Sequence, residues 1–258
     1  MVIHHKLPPA PSIAYGDHPD QVANLHRPAG TRGPWPCVVL VHGGFWRTGW
    51  DRTLMTSLAI DLARRGLAAW NVEYRRVGQE GGGWPGTFED VAAAVDRLAE
   101  VEDVDTTRVA TCGHSAGGHL ALWLAARHRL AAGTGASPRV RPVAAVSQGG
   151  VCDLEGAWRE ELGHGAVEEL LGPLEERSER LAETSPAALS PLGVPQLLVH
   201  GSDDDVVPVS QSRALAERDP LAQLLELEGA DHFDVVDPGH HAWAAAAVWL
   251  VERLCARP

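Results

Sequence analysis

Apolar residues along this chain fall into two alternating patterns. Short continuous runs appear at Pro36–His42, Leu67–Tyr74, Val109–Cys112, Pro142–Ser147, Pro195–His200 and Leu224–Leu227. Such runs, bounded by turn residues, mark strands covered on both faces. Between them the apolar positions recur every three or four residues. Leu54, Leu58 and Leu62 follow Asp51 as a cap and precede Gly66 as a stop, which predicts a helix to about Arg65. Val91, Ala94, Val95 and Leu98 follow Thr87 and Asp90, spaced as a capping box. Leu120, Trp123 and Leu124 mark another helix, and Trp243, Ala247, Leu250 and Leu254 a closing one that faces the core. Strand alternating with helix predicts an α/β chain with a mostly parallel central sheet and helices on both faces. Ile13–Tyr15 and Gln21–Arg27, with a turn at Gly16–Pro19, add an opening strand pair at the sheet edge.

One stretch breaks the rhythm. Residues 153–192 carry short helical patterns around Trp158 and Leu170, broken at Gly172-Pro173 and Ser185-Pro186. Ten acidic residues stand against three basic ones between Asp153 and Glu183, so much of this stretch faces solvent. It reads as a helical insertion in a single domain spanning 1–258, either a lid or a solvated spacer.

Bulk properties narrow the partners. A net charge of -12 argues against nucleic acid, whose phosphates need a basic surface. No apolar run approaches the roughly 20 residues of a membrane helix, and Met1–Pro11 lacks a secretory apolar stretch, which points to the cytoplasm. Cys37, Cys112, Cys152 and Cys255 are widely spaced and form no C-x-x-C, so free thiols are expected. The adjacent pairs His4-His5 and His240-His241 lack the i, i+4 spacing of a zinc helix; neither metal nor cofactor is expected. A homodimer is left open.

Chemistry concentrates at Gly113-His114-Ser115-Ala116-Gly117, which fits G-x-S-x-G between a strand and a helix. A serine on such a sharp turn is exposed as a nucleophile, and the small residues two positions away relieve the crowding. A serine hydroxyl needs a base, and the base needs an orienting acid. Chemistry in open parallel sheets gathers beyond the C-terminal strand ends. His232, directly after the last strand, is therefore the base. The acid is open among Asp203, Asp204 and Asp205 after the preceding strand, with Asp153 an alternative one strand earlier. His42-Gly43-Gly44-Phe45-Trp46 ends another strand in a loop suited to an oxyanion hole.

His-Gly-Gly-Phe-Trp at 42–46, Gly-His-Ser-Ala-Gly-Gly at 113–118, His-Gly-x-x-Asp-x-Val-Val-Pro at 200–208 and Asp-His-Phe at 231–233 together resemble the α/β-hydrolase superfamily. The order Ser, Asp, His is the one this superfamily uses. Within it the chain most resembles the kynurenine formamidase and small carboxylesterase branch. The resemblance implies Asp204 as the acid and the backbone N–H groups of Gly44, Phe45 and Ala116 as oxyanion donors; Phe45 replaces the third glycine of related H-G-G-G esterases. It implies a serine hydrolase that cleaves a small ester or amide through an acyl-enzyme, as a carboxylesterase or as an arylformamidase on an N-formylkynurenine-like substrate. A small-molecule receptor on the same fold is the alternative. Trp46, Trp84 and Trp158 are candidates to line an aromatic leaving-group pocket, and Arg47 or Arg75 to pair a substrate carboxylate.

Overall fold

The computed structural model describes residues 10–130 and 137–255, and for residues 174–177 the backbone only; the His4-His5 pair lies outside them. The strands are β1 (Ser12–Ala14), β2 (Val22–His26), β3 (Trp35–Val41), β4 (Ala68–Val72), β5 (Val104–His114), β6 (Ala144–Gln148), β7 (Gln196–Gly201) and β8 (Ala222–Leu227). They form one sheet in the order β1-β2-β4-β3-β5-β6-β7-β8. The expected opening pair sits at the edge and runs antiparallel, with β2 antiparallel to β4. From β4 to β8 every neighbouring pair is parallel.

The helices are α1 (Thr56–Arg64), α2 (Gly86–Asp96), α3 (Ala116–Ala126), α4 (Leu154–Arg159), α5 (Ala166–Leu171), α6 (Leu174–Thr184), α7 (Pro186–Leu189), α8 (Ser210–Arg218) and α9 (His241–Cys255). Apart from Trp35 at the start of β3, strands β3, β4, β6 and β7 are buried throughout because helices cover both faces. Val38 and Leu40 of β3 pack with Leu58 and Leu62 of α1 and with Trp243 and Leu250 of α9. Val39 and Val41, whose side chains alternate to the other face, pack with Phe88 and Val91 of α2 and Leu120 and Trp123 of α3.

All eleven residues of α3 are buried, so this helix has no solvent face. Residues 153–192 form helices α4 to α7, which cover its outer side and are tied to it by polar bonds. His119 Nε2 donates to Thr184 O at 2.9 Å, and Trp123 Nε1 donates to Glu183 O at 2.9 Å. The breaks expected at Gly172-Pro173 and Ser185-Pro186 separate α5 from α6 and α6 from α7.

Two local expectations change. The Thr87–Asp90 capping box does not form, because α2 already starts at Gly86 and Thr87 lies inside its first turn. Thr87 Oγ1 instead accepts from Gly83 N–H at 3.0 Å and donates to Arg75 O at 2.6 Å, while Asp90 is held by the Arg75 guanidinium at 2.7 and 2.9 Å. Helix α8 has no counterpart in the apolar pattern, since two of its three buried residues, Gln211 and Ser212, are polar. Cys37, Cys112 and Cys152 are buried free thiols and Cys255 is an exposed one. No described helix is long and apolar enough to cross a membrane.

The chain leaves β3 toward one sheet edge to make β4, then returns past β3 to make β5 and builds toward the other edge. The crevice between the C-terminal ends of β3 and β5 is therefore the topological switch point, where open α/β sheets bind their ligands.

Candidate active site

Ser115 stands at that switch point, one residue beyond β5 and one before α3. Its backbone is at φ 55° and ψ -122°, a strained conformation for a residue with a side chain. The strain is held by the surroundings: Ser115 N–H donates to Gln148 O at 2.8 Å, and its carbonyl receives Gly118 N–H at 2.8 Å. The flanking glycines are needed for close approach. A Cβ on Gly113 would collide with Gly117 O, and one on Gly117 with the Val41 and His42 carbonyl oxygens.

The loop after β3 carries three consecutive positive φ values, at Gly44 (113°), Phe45 (50°) and Trp46 (58°). Among the described residues the N–H groups of Gly44 and Phe45 meet no acceptor within the protein. Ala116 opens α3, where the first N–H groups have no intrahelical partner. The loop is anchored by a buried network that no motif in the sequence marks. His42 Nε2 lies 2.9 Å from Glu73 Oε1, its ring stacks on Tyr74 at 4.4 Å, and Tyr74 Oη donates to His42 O at 2.9 Å. Glu73 also accepts from Arg52 N–H at 3.0 Å. Burial alone would raise its pKa, but the His42 hydrogen bond and the nearby cations outweigh that and lower it. The one available signal was Glu73-Tyr74 in polar contrast at the end of an apolar strand.

Asp204 and His232 meet at 2.6 Å, Oδ2 to Nδ1. Of the three consecutive aspartates, only Asp204 faces the imidazole. Asp203 accepts from Ser202 Oγ, and Asp205 is exposed. Asp153, the alternative acid, caps α4 by accepting Glu155 N–H at 3.1 Å. The Asp204 carboxylate is fully buried and surrounded by donors: Oδ1 accepts from Val206 and Val207 N–H at 3.0 and 2.8 Å, and His200 Nε2 lies 3.3 Å from Oδ2. Burial opposes its ionisation, yet the His200 and His232 bonds prevail and hold its pKa well below the usual carboxylate range. His200 Nε2 also contacts Val207 O at 2.8 Å, which can only accept, so this nitrogen carries a proton, and Nδ1 lies 2.7 Å from Ser212 Oγ.

His114 ties the serine turn to the His232 loop. Its Nε2 donates to His232 O at 2.8 Å, and the two rings lie 4.5 Å apart. Burial, with the neighbouring His232, lowers its pKa to about 3, so it is neutral at physiological pH.

Ser115, His232 and His114 line a cavity of about 60 Å³ together with Gly44, Phe45, Trp50, Leu54, Val206 and Phe233. The three tryptophans expected in the pocket do not line it. Trp46 is 1% exposed and turned inward by the positive φ values at 45 and 46, where Nε1 donates to His119 Nδ1 at 3.2 Å. Trp84 packs edge-on against Phe88, and Trp158 is half-buried against the core. Nor are the expected cations available. Arg47 binds Glu169 at 2.5 Å and the carbonyls of Gly163 and His164, and Arg75 is held by Asp90.

Comparison with known proteins agrees with this architecture. Over 87% of its length the chain is 27% identical to a protein from Oryza sativa subsp. japonica named probable isoprenylcysteine alpha-carbonyl methylesterase ICME, covering 58% of that relative. Over 92% of its length it is 28% identical to esterase LipC of Mycobacterium tuberculosis, covering 63% of it. The chain thus spans about three fifths of these relatives. Among solved structures, a truncated carbohydrate esterase from gut microbiota superposes with a TM-score of 0.78 at 19% identity, covering 97% of this chain and 100% of that one. Thermogutta terrifontis esterase 2, phosphoramylated by tabun, superposes at 0.75 with 21% identity, covering 99% and 97%. The family model described as BD-FAE matches residues 23–218, most of the chain. On that match the chain belongs to the BD-FAE family, and its sheet, helices and crossover make it an α/β-hydrolase fold.

Proposed function

We propose that this protein is a serine carboxylesterase acting on small esters, with Ser115, His232 and Asp204 as its catalytic residues. The observation that carries the reading is the 2.6 Å Asp204–His232 pair, whose imidazole lines the same small cavity as a strained, turn-borne Ser115.

In this mechanism His232 takes the Ser115 proton as the oxygen attacks the ester carbonyl, and Asp204 fixes the tautomer with the proton on Nδ1 and stabilises the imidazolium. The N–H groups of Gly44, Phe45 and Ala116 receive the charge that develops on the carbonyl oxygen, each donor lowering the barrier by about 3 kcal/mol. His232 then gives the proton to the leaving alcohol, and water repeats the sequence to free the acid. The His42–Glu73–Tyr74 network keeps the donor loop in place before substrate arrives, so no reorganisation is needed in the reaction. The 153–192 stretch backs the Phe45 ring at Gly163, clamped by Arg47 on Gly163, His164 and Glu169.

Ester hydrolysis stands ahead of formamide hydrolysis for two reasons. The relatives that match most of the chain carry esterase names, and Arg47 and Arg75, the cations an N-formylkynurenine-like carboxylate would need, are engaged internally. Short acyl esters and N-formylkynurenine assayed side by side test the choice: a higher kcat/KM on the esters is expected, and the reverse would restore the formamidase. Rapid labelling by a fluorophosphonate, lost in Ser115→Ala, is expected of the enzyme and not of a receptor.

A further inference from the structure

Two exposed aromatic rings lean on each other at the mouth of the Ser115 cavity. Trp50 is 46% exposed and Phe233 45%, and their centroids lie 5.7 Å apart at an interplanar angle of 28°. Both line the cavity, Trp50 from the loop after β3 and Phe233 from the loop after β8. Trp50 ends the loop that bears Gly44 and packs directly on that glycine, where a Cβ would lie 2.8 Å from Trp50 Cβ. Phe233 follows His232 and meets its imidazole edge to face at 5.4 Å.

Neither ring is placed by its own burial. The backbone of each is pinned: Arg76 Nη1 donates to Trp50 O at 2.5 Å, and Phe233 N–H donates to Asp231 Oδ1 at 2.7 Å, with Asp234 N–H on the same oxygen at 3.0 Å. Two large apolar side chains held half in water at a cavity mouth form a surface suited to a ligand. The chemistry sets which part of the ligand. His232 must protonate the leaving atom, so the leaving alcohol lies on the His232 side of the scissile carbonyl. Phe233 is the next residue, and Trp50 is stacked on it.

We propose that Trp50 and Phe233 form an aromatic platform for the leaving group, and that the preferred substrates are short-acyl esters of alcohols carrying an aromatic ring. This rests on the esterase reading and names the alcohol side of that site. The ring would lie against the outer face of the pair, the offset arrangement that aromatic groups favour, while the small cavity takes the acyl group.

Benzyl acetate and ethyl acetate test this, since both release alcohols of similar acidity and the same acid. Wild-type protein should favour benzyl acetate by about tenfold in kcat/KM, expressed mainly in KM, and that ratio should collapse toward unity in Trp50→Ala and Phe233→Ala. Removing Trp50 also loosens its packing on Gly44, so Phe233→Leu is the second variant: it keeps apolar volume, loses the ring face and should lose the ratio. Benzyl alcohol should inhibit wild-type competitively, and these variants about tenfold more weakly. Equal kcat/KM for the two esters in wild type, or variants that lower both by one factor, would overturn the platform while leaving the esterase intact. Absence of turnover on both esters together with absence of fluorophosphonate labelling would overturn the esterase reading, and the platform with it.

Discussion

Gly149, at the end of β6, sits against the proposed acid–base pair. Its φ is +54°, and a Cβ there would lie 3.0 Å from Asp204 Oδ2 and 3.2 Å from His232 Nδ1. Gly149→Ala therefore carries two separable costs. A side chain at left-handed φ costs about 1–2 kcal/mol in backbone strain. The second cost is local, because the carboxylate and imidazole must each retreat by roughly a few tenths of an ångström from a bond that is now 2.6 Å long. Gly66 isolates the first cost: its φ is +89°, and a Cβ there meets nothing within 4 Å. In a chain of this size about 1 kcal/mol lowers Tm by about 2–4 °C, so both alanine variants should lose stability through the shared strain, with Gly149→Ala losing more by the local cost. Only Gly149→Ala should lose kcat, by about tenfold, because a full 1 Å misplacement of a catalytic group costs about 100-fold. KM should hold, since Gly149 is not among the residues lining the cavity. Thermal melts and steady-state kinetics on one short ester make the comparison. Equal kcat in Gly149→Ala and Gly66→Ala would refute the claim that the Asp204–His232 geometry limits catalysis.

Asp204→Asn should lower kcat by on the order of 10⁴ because the amide cannot hold the Nδ1–H tautomer, whereas Asp153→Asn should leave kcat at the wild-type value in the same assay, Asn being as good a helix cap. Stability should fall on mild acidification. Burial lowers His114 to about 3 and His119 to about 4, so below about pH 6.5 the unfolded chain takes up protons that the folded chain refuses. Between roughly pH 7 and pH 5 each histidine removes about 2 kcal/mol. The lowered carboxylates Asp204 and Glu73 stay ionised across that window and add little slope, since their contribution is lost only as pH falls below their ordinary values of 3.8 and 4.5. Urea unfolding at the two pH values checks this, and an unchanged free energy would refute it.

The site was legible where chemistry and local backbone demand coincide. Gly113, Ser115 and Gly117 announce a turn too tight for side chains, and the collisions a Cβ would meet there are the reason. His232 was reached because it is the histidine directly after the last strand. The pocket walls were not legible. Trp46 was expected to line the pocket and is buried, whereas Trp50, four residues on, stands at its mouth. The difference is a loop with three positive φ values in succession, two of them at Phe45 and Trp46, where nothing in the local sequence demands it. Arg47 and Arg75 likewise looked free in one dimension, but their partners lie 122 and 15 residues away.

The sequence by itself determined the strand and helix alternation, the breaks at Gly172-Pro173 and Ser185-Pro186, and the positions of Ser115, Asp204 and His232 beyond the ends of β5, β7 and β8. Those depend on periodicity and on residue types at fixed local spacing. Only the tertiary structure decided which aspartate faces His232, that Glu73 and His42 anchor the loop after β3, and which aromatic rings reach the cavity. Each of those depends on where distant segments come to rest: the side chain of Asp204 is buried among donors from the loops after β7 and β8, while Asp203 and Asp205 beside it face water. Burial and partnership at that distance have no signature along the chain, because they are properties of the packed sheet ends rather than of any one stretch.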